Sequence, residues 1–301
     1  MEDNKIIHLK TISGLHRHHG VGSPRHPLVS VIDLMEVEHS VFAPGDQLQM
    51  DFYVIACKKF KGEVRYGRST YDFEEGAVMF TAPGQVVSAA TDVEMEEGWA
   101  LFFHPDLVNA SPLGRKMHEY SFFRYDTHEA LHVSEEEKRL LRDIADKIQR
   151  ECAQNMDQHT QHLIVSNIEL LLSYCTRFYD RQFLTRAKVN NEIVQDFERL
   201  LHVYFDTPAL LEAGLPDVKY FAGQLNLSPN YLTDMLHKFT GKTTQEHIHL
   251  HLVEKAKSLL WSTEDTVSEI AYRLGFEHAS HFNKLFKAKT GVTPGQYRHL
   301  N

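Results

Sequence analysis

The sequence predicts an α+β chain. An antiparallel β-barrel or sandwich comes first, then a helical connector. An all-α tail follows, with two helix-turn-helix motifs joined by a long helix. Three observations predict this. Short apolar runs broken by Gly and Pro turns fill the stretch from about Leu28 to Phe103. Apolar residues recur at helical spacing from Ser134 onward. The tail repeats one unit at an offset of 49 to 50 residues. The expected boundaries are 1–133 for the β domain, 134–189 for the connector and 190–301 for the tail.

The β reading rests on the runs Val29 to Met35, Met50 to Cys57, Ala77 to Phe80 and Trp99 to Phe103. Pro44-Gly45, Gly62, Gly67, Gly76 and Pro83-Gly84 separate them. Short apolar runs between such turn residues read as strands of a small barrel or sandwich. In the connector, Ser134 with Glu137 forms a capping-box signal ahead of Leu140, Leu141, Ile144 and Ile148. A second helix carries Ile164, Ile168, Leu171, Cys175 and Phe178 in an a/d-like stripe. Two readings fit that stripe: packing on the chain's own β domain, or part of a homodimer seam.

The tail is nearly all helix from Asn190. Asn191 to Phe205 reads as one helix, ended by Pro208. Phe221-Ala222-x-x-Leu225-Asn226 matches Ile270-Ala271-x-x-Leu274-Gly275 at an offset of 49. Leu232, Leu236, Thr240-Gly241 and Thr243 match Phe282, Phe286, Thr290-Gly291 and Thr293 at an offset of 50. Each copy has helix-turn-helix logic. A small residue (Ala222, Ala271) permits close crossing, and a residue tolerant of positive φ (Asn226, Gly275) ends the first helix. A buried apolar residue (Leu232, Phe282) locks the pair. Ser228-Pro229, Thr293-Pro294, Thr243 with Glu246, and Thr266 with Glu269 read as helix starts. Between the copies, Thr243 to Trp261 reads as one helix of 19 residues. It would span about 28 Å, against about 34 Å between successive major grooves on one DNA face. The alternative is a helical interaction domain with a duplicated motif.

Composition agrees with a mixed soluble chain. Of 301 residues, 42% are hydrophobic and 24% charged, with a net charge of −9. Residues 218–301 carry ten Lys/Arg against seven Asp/Glu, a local +3, which leaves −12 on the first 217. Such asymmetry points the tail at an anion. The longest apolar run is too short for a membrane span, and MEDNKIIHLK lacks a signal-peptide core. Three distant cysteines (Cys57, Cys152, Cys175) argue against a disulfide framework and for a reducing cytoplasm.

The tail resembles the DNA-binding domain of the AraC/XylS family of transcription regulators. The resemblance runs from about Val218 to Leu300. It is carried by Lys255-Ala256, Leu259-Leu260, Val267, Ile270-Ala271, Gly275-Phe276, Phe282, Phe286, Gly291, Thr293-Pro294 and Tyr297. The first half resembles, less distinctively, the cupin-like sensor domain that often precedes such tails, chiefly in Phe73 to Gly84. The expectation is a cytoplasmic, homodimeric regulator that reads two adjacent major grooves of double-stranded DNA, and the resemblance implies an activator. It further implies contact with RNA polymerase and control by a small-molecule effector. The first recognition helix would be Pro229 to Phe239, presenting Asn230, Thr233, Asp234 and His237. The second would be about Ala279 to Lys289, presenting Ser280, His281, Asn283, Lys284 and Lys287. Asn can pair with adenine, Thr can touch thymine, a carboxylate can accept from cytosine N4, and Lys284 can reach guanine. Lys287 is expected on phosphate.

Catalysis and metal binding were weighed against this. His16, His18, His19 and His26 read as a flexible N-terminal arm, and Met50 to Cys57 lacks the H-x-H pair of a metal cupin. His247 and His251 are spaced i, i+4 but read as a solvated face. Glu94, Glu96 and Glu97 read as a solvated loop. There is no GxSxG, P-loop or Cys/His nucleophile spacing. The expectation is no enzyme, no metal and no cofactor. The alternatives are a cupin-type metal enzyme with a helical interaction tail, and an orphan DNA binder without effector. Tyr53, Arg65, Tyr66 and Trp99 offer rings and a cation for an effector, or for core packing.

Overall fold

The computed structural model describes residues 6–37, 47–60, 64–66, 69–71, 76–88, 95–207, 210 and 214–299. The chain forms two compact units that divide between Thr185 and Arg186.

The first unit is built on a five-stranded antiparallel sheet. Its order is β10 (Leu131–His132), β7 (Ala77–Thr81), β4 (Tyr53–Phe60), β9 (Met95–Phe103) and β2 (Val29–Asp33). Trp99, Ala100, Leu101, Phe102 and Phe103 are all at most 4% exposed. Successive side chains alternate between faces, so β9 is covered on both sides. One face meets helix α1 (Ile12–His19) and a second sheet of β1 (Ile6–Leu9), β3 (Gln47–Met50) and β8 (Val86–Ser88). The other carries an aromatic cluster in which Phe80 and Phe122 lie 4.4 Å apart and Phe122 stacks on Tyr179 at 5.5 Å.

Two expectations change here. The described strands form three separate sheets, the third being β5 (Val64–Tyr66) with β6 (Ser69–Tyr71), and no closed barrel forms among the described residues. The pairing is not wholly antiparallel either, because β1 runs parallel to β3. Helix α1 and strand β2 lie between these two strands in the chain.

The histidine-rich N-terminal segment is a packed helix, not a flexible arm. Thr11 caps α1 by accepting from the Gly14 amide at 3.0 Å, and Gly20 closes it at φ 67°. Ile12 and Leu15 are fully buried, and His16 bridges the Gly22 carbonyl at 2.6 Å and Ser30 Oγ at 2.8 Å.

Two short helices, α2 (Pro105–Val108) and α3 (Pro112–Lys116), lead toward α4 (Glu135–Ala153) and α5 (Thr160–Thr185). The capping box of Ser134 and Glu137 forms as expected. The expected connector helices pack onto the sheet of this unit. Gln182 is 2% exposed; it accepts from the His132 amide and donates to the Ala130 carbonyl. Arg181 donates to His132 O and to Glu137. The stripe Ile164, Ile168, Leu171, Cys175 and Phe178 is 6% exposed or less. It therefore packs on its own sheet and is closed to a second copy.

The three cysteines are free and buried, and burial pushes Cys57 up to about 12 and Cys152 to about 11. Glu96 and Glu97 lie on β9 rather than in a loop, paired with Lys59 and Lys138. Glu94, the side chains of Arg65 and Tyr66, and residues 73–75 of the Phe73 to Gly84 stretch fall outside the described residues.

In the second unit, α6 (Ala187–Asp206) opens a helical bundle with Phe197, Leu201, Tyr204 and Phe205 buried.

His19 is 6% exposed, and burial, then neighbouring His18 and His16, pull its pKa from 6.5 to about 4. Below pH 6.5 the unfolded chain gains a proton there that the folded chain refuses, so stability is lost as pH falls toward 4. The expected loss from this group between pH 7 and pH 5 is about 2 kcal/mol. Urea unfolding read by Trp99 fluorescence in a Trp261→Phe background checks this. His19→Gln should flatten that part of the pH dependence, and an unchanged slope would refute the assignment.

Candidate nucleic-acid interface

The tail builds two helix pairs from the same local chemistry. In the first, α7 (Val218–Leu225) is capped by Asp217 and ends at Asn226, with φ 53° and ψ 43°. Asn226 is the only non-glycine residue with positive φ among the described residues. Leu227 N donates to Ala222 O at 2.9 Å across the turn. Helix α8 (Pro229–Thr240) then starts with Ser228 accepting from Tyr231 N, with Pro229 in its first turn.

The second copy repeats the turn bond but not the side-chain cap of the second helix, which starts at His278 without one. Helix α10 (Val267–Arg273) leads to Gly275 at φ 80°, and Phe276 N donates to Ala271 O at 3.0 Å. Helix α11 (Ala279–Thr290) follows, ending at Gly291 (φ 82°) as α8 ends at Gly241 (φ 73°). Thr240 donates to Leu236 O and Thr290 to Phe286 O, both close to 2.8 Å. The left-handed residue lets a bond six residues long close each turn, which fixes the angle between the paired helices. Ala222 and Ala271 are at most 1% exposed, so the helices cross closely there. The locking residues Leu232 and Phe282 are equally buried.

Helix α9 (Thr244–Ser262) joins the two pairs, with a complete capping box at Thr243 and Glu246. Its 19 residues span about 28 Å. Lys255 at its middle bonds the Phe205 carbonyl and Asp206 at the end of α6. A cation at a helix C-terminus complements the carbonyl dipoles there. Arg298 of α12 (Pro294–Arg298) donates to Leu260 O near the end of α9.

The expected contact residues divide by exposure. On α8, His237 is exposed, while Asn230, Thr233 and Asp234 are half-buried. Thr233 gives its one hydroxyl proton to Pro229 O at 2.8 Å and also meets Thr244 Oγ at 3.1 Å. That hydroxyl is committed to packing α8 against α9. On α11, Ser280, His281, Lys284 and Lys287 are exposed and Asn283 is half-buried. Lys284 and Lys287 make no salt bridge among the described residues, whereas Lys257 and Arg273 are paired with Glu254 and Asp265. The uncompensated positive charge thus gathers on α11.

The histidines of α9 are packed rather than solvated. His247 meets Thr240 Oγ at 2.8 Å and the edge of Phe197, and His251 lies against His202 at 4.6 Å. Burial lowers the pKa of both below the usual imidazole value. In the first unit, Asp126, His128 and Glu129 bring three ligand atoms within 4.8 Å of one another, with one Glu129 oxygen already accepting from the Asp126 amide. Tyr272 on α10 is 56% exposed beside the second motif, and the sequence pattern hid it inside an apolar run. The first helix of such a motif crosses the DNA backbone, which makes Tyr272 a phosphate-contact candidate.

Residues 221–299 match a family described as a helix-turn-helix domain. Over 196 residues the chain is 26% identical to an uncharacterized HTH-type transcriptional regulator, YijO of Escherichia coli K12, covering 64% of each chain. Over 81 residues it is 32% identical to the HTH-type transcriptional activator RhaR of Escherichia coli K12, covering 27% of this chain and 29% of RhaR. The alignments therefore span less than two thirds of these relatives. Among solved structures, the C-terminal domain of AraT, a response regulator from Geobacillus stearothermophilus, is 31% identical. It covers 36% of this chain and 85% of that one, with a TM-score of 0.32.

The Gly275 position is tight as well as left-handed. A Cβ there would lie 3.0 Å from Gly214 C and 3.1 Å from Leu215 N. Gly275→Ala should cost the tail about 1–3 kcal/mol. Asn226→Gly, where the same conformation is open, should shift stability by less than about 1 kcal/mol. Thermal unfolding of the two variants side by side tests the difference. Equal effects would mean the Gly214–Gly275 approach is unimportant.

Proposed function

We propose that this chain, whose C-terminal unit carries an AraC-type helix-turn-helix domain, is a sequence-specific DNA-binding transcription regulator. The carrying observation is the pair of helix-turn-helix units closed by the same turn bond and joined by α9, with uncompensated lysines on α11. The span of α9 supports placement of α8 and α11 in successive major grooves. In this reading Asn230, Asp234 and His237 on α8, and Ser280, His281, Asn283 and Lys284 on α11, face base edges. Lys287 takes a phosphate, and Thr233 contributes through its methyl group.

The first unit acts as the sensor in this proposal, with the cupin-like resemblance as its support. An effector would shift the balance between two arrangements only by as much as its affinities for them differ. An activating role is supported by the name of RhaR as an activator, and contact with RNA polymerase rests on the family resemblance. The cytoplasm suits the three free thiols, and no described helix is long and apolar enough to cross a membrane.

The homodimer reading moves to the outer face of α5. Leu163 and Leu170 lie seven residues apart and are each 42% exposed, so a second copy could cover them without unpacking the core. Leu170→Glu should leave the first unit folded and weaken self-association in sedimentation. Leu171→Glu places an unpaired charge in the core and should unfold it, at a cost of about 3–5 kcal/mol. Retention of the dimer in Leu170→Glu would refute this seam.

Selection of bound DNA from a random library by the full chain, at stated salt, tests the main proposal. Two short motifs about one helical turn apart are expected, and recovery of no motif would oppose it. Lys284→Ala should then cost about 1–3 kcal/mol on the selected site. An equal loss on every sequence would make Lys284 a phosphate contact only.

A further inference from the structure

Strand register places Asp33, Cys57 and Trp99 side by side on the sheet face nearest α4. A cavity of about 370 Å³ opens there, between Trp99, Cys57 and Gly98 below and Glu135, Lys138, Arg139 and Arg142 above. That volume lies within the range of small-ligand sites. Its floor is apolar, because burial holds the Cys57 thiol protonated.

Two features of the wall are unfinished. Trp99 is 4% exposed, and its indole Nε1–H is buried without an acceptor among the described residues. An orphan buried donor of this kind calls for a partner. The charges are also unbalanced. Lys138 answers both Glu97 and Glu135, and Arg142 lies 3.8 Å from Asp33. The lining as a whole carries five cations (Lys58, Lys59, Lys138, Arg139 and Arg142) against three acids (Asp33, Glu97 and Glu135). Arg139 is exposed and makes no salt bridge among the described residues.

We propose that this cavity binds a planar organic acid. Its ring lies over the apolar floor of the cavity, and its carboxylate meets Arg139. The proposal rests on the reading of the first unit as the sensor and names where its ligand sits. A neutral ligand leaves Arg139 unanswered, and a cationic one would be repelled by it.

The protein has two tryptophans, so full-length Trp261→Phe leaves Trp99 as the only one. Nicotinate and 4-hydroxybenzoate, each beside its amide, are the probes. Both acids should quench Trp99 fluorescence and bind in calorimetry, at least about tenfold tighter than the amides. Arg139→Ala should cost about tenfold and erase the preference for acid over amide. Trp99→Phe should cost about fivefold. Failure of both acids to bind, or full affinity in Arg139→Ala, would overturn the site. Should Trp99→Phe fail to fold, Arg139→Ala still decides, since that side chain is exposed. Acid binding without any change in DNA affinity would support the site and refute effector control. An acid response of DNA binding that survives Arg139→Ala would place the effector elsewhere and overturn the proposal.

Discussion

Each helix-turn-helix pair depends on one backbone constraint. A single residue must enter the left-handed region so that the amide two places beyond the helix can reach back to the carbonyl of an alanine. Asn226 and Gly275 do this, and the bonds Leu227 N to Ala222 O and Phe276 N to Ala271 O follow. Without that reversal, Leu232 and Phe282 could not both meet the first helix of their pair and stay buried. Short side chains at Ala222 and Ala271 then allow the close crossing. The exposed faces of α8 and α11 are what remains once these inward contacts are satisfied.

The same reasoning explains why the two motifs differ in chemistry. On α8 three of the four expected positions, Asn230, Thr233 and Asp234, are half-buried, and Thr233 is spent on internal bonds with Pro229 and Thr244. On α11 all the expected positions but Asn283 are exposed, and Lys284 and Lys287 make no salt bridge among the described residues. In the proposed reading, Lys284 and Lys287 of α11 supply long-range attraction to phosphate, to which uncompensated cations contribute. Other cations of the tail serve the fold. Lys255 caps α6, and Arg273 pairs with Asp265.

In the first unit the organising fact is that β9 is buried on both faces. One face needs the α1 layer and the other needs α4 and α5. Helices at 135–185 are thus part of this unit's core. That is why the regular stripe on α5, which has the spacing of a coiled-coil seam, faces inward. Spacing reports that a helix has an apolar face, not which surface covers it. The less regular outer residues, Leu163 and Leu170, are the ones left to solvent.

Local chemistry was legible in the residues. The capping boxes at Ser134, Thr243 and Thr266, the left-handed positions at Asn226 and Gly275, and the limits of α8, α9 and α11 depend on neighbours within about six positions. A sequence read locally carries that information. Four features were not legible, since each depends on what distant segments bring into contact. His16, His18 and His19 form a packed helix only because the sheet supplies Ser30 and a hydrophobic floor. His247 and His251 are withdrawn from solvent by α6. The parallel pairing of β1 with β3 has no local signature at all. Trp99 looks like any core aromatic until the register sets it beside Asp33 and Cys57 under the charges of α4. The sequence by itself determined the helix ends, the turns and the duplicated helix-turn-helix unit, because short-range hydrogen bonding and backbone sterics dictate them. The tertiary structure alone decided which faces are covered, which charges are compensated and where a cavity remains, because those follow from packing between segments far apart in the chain.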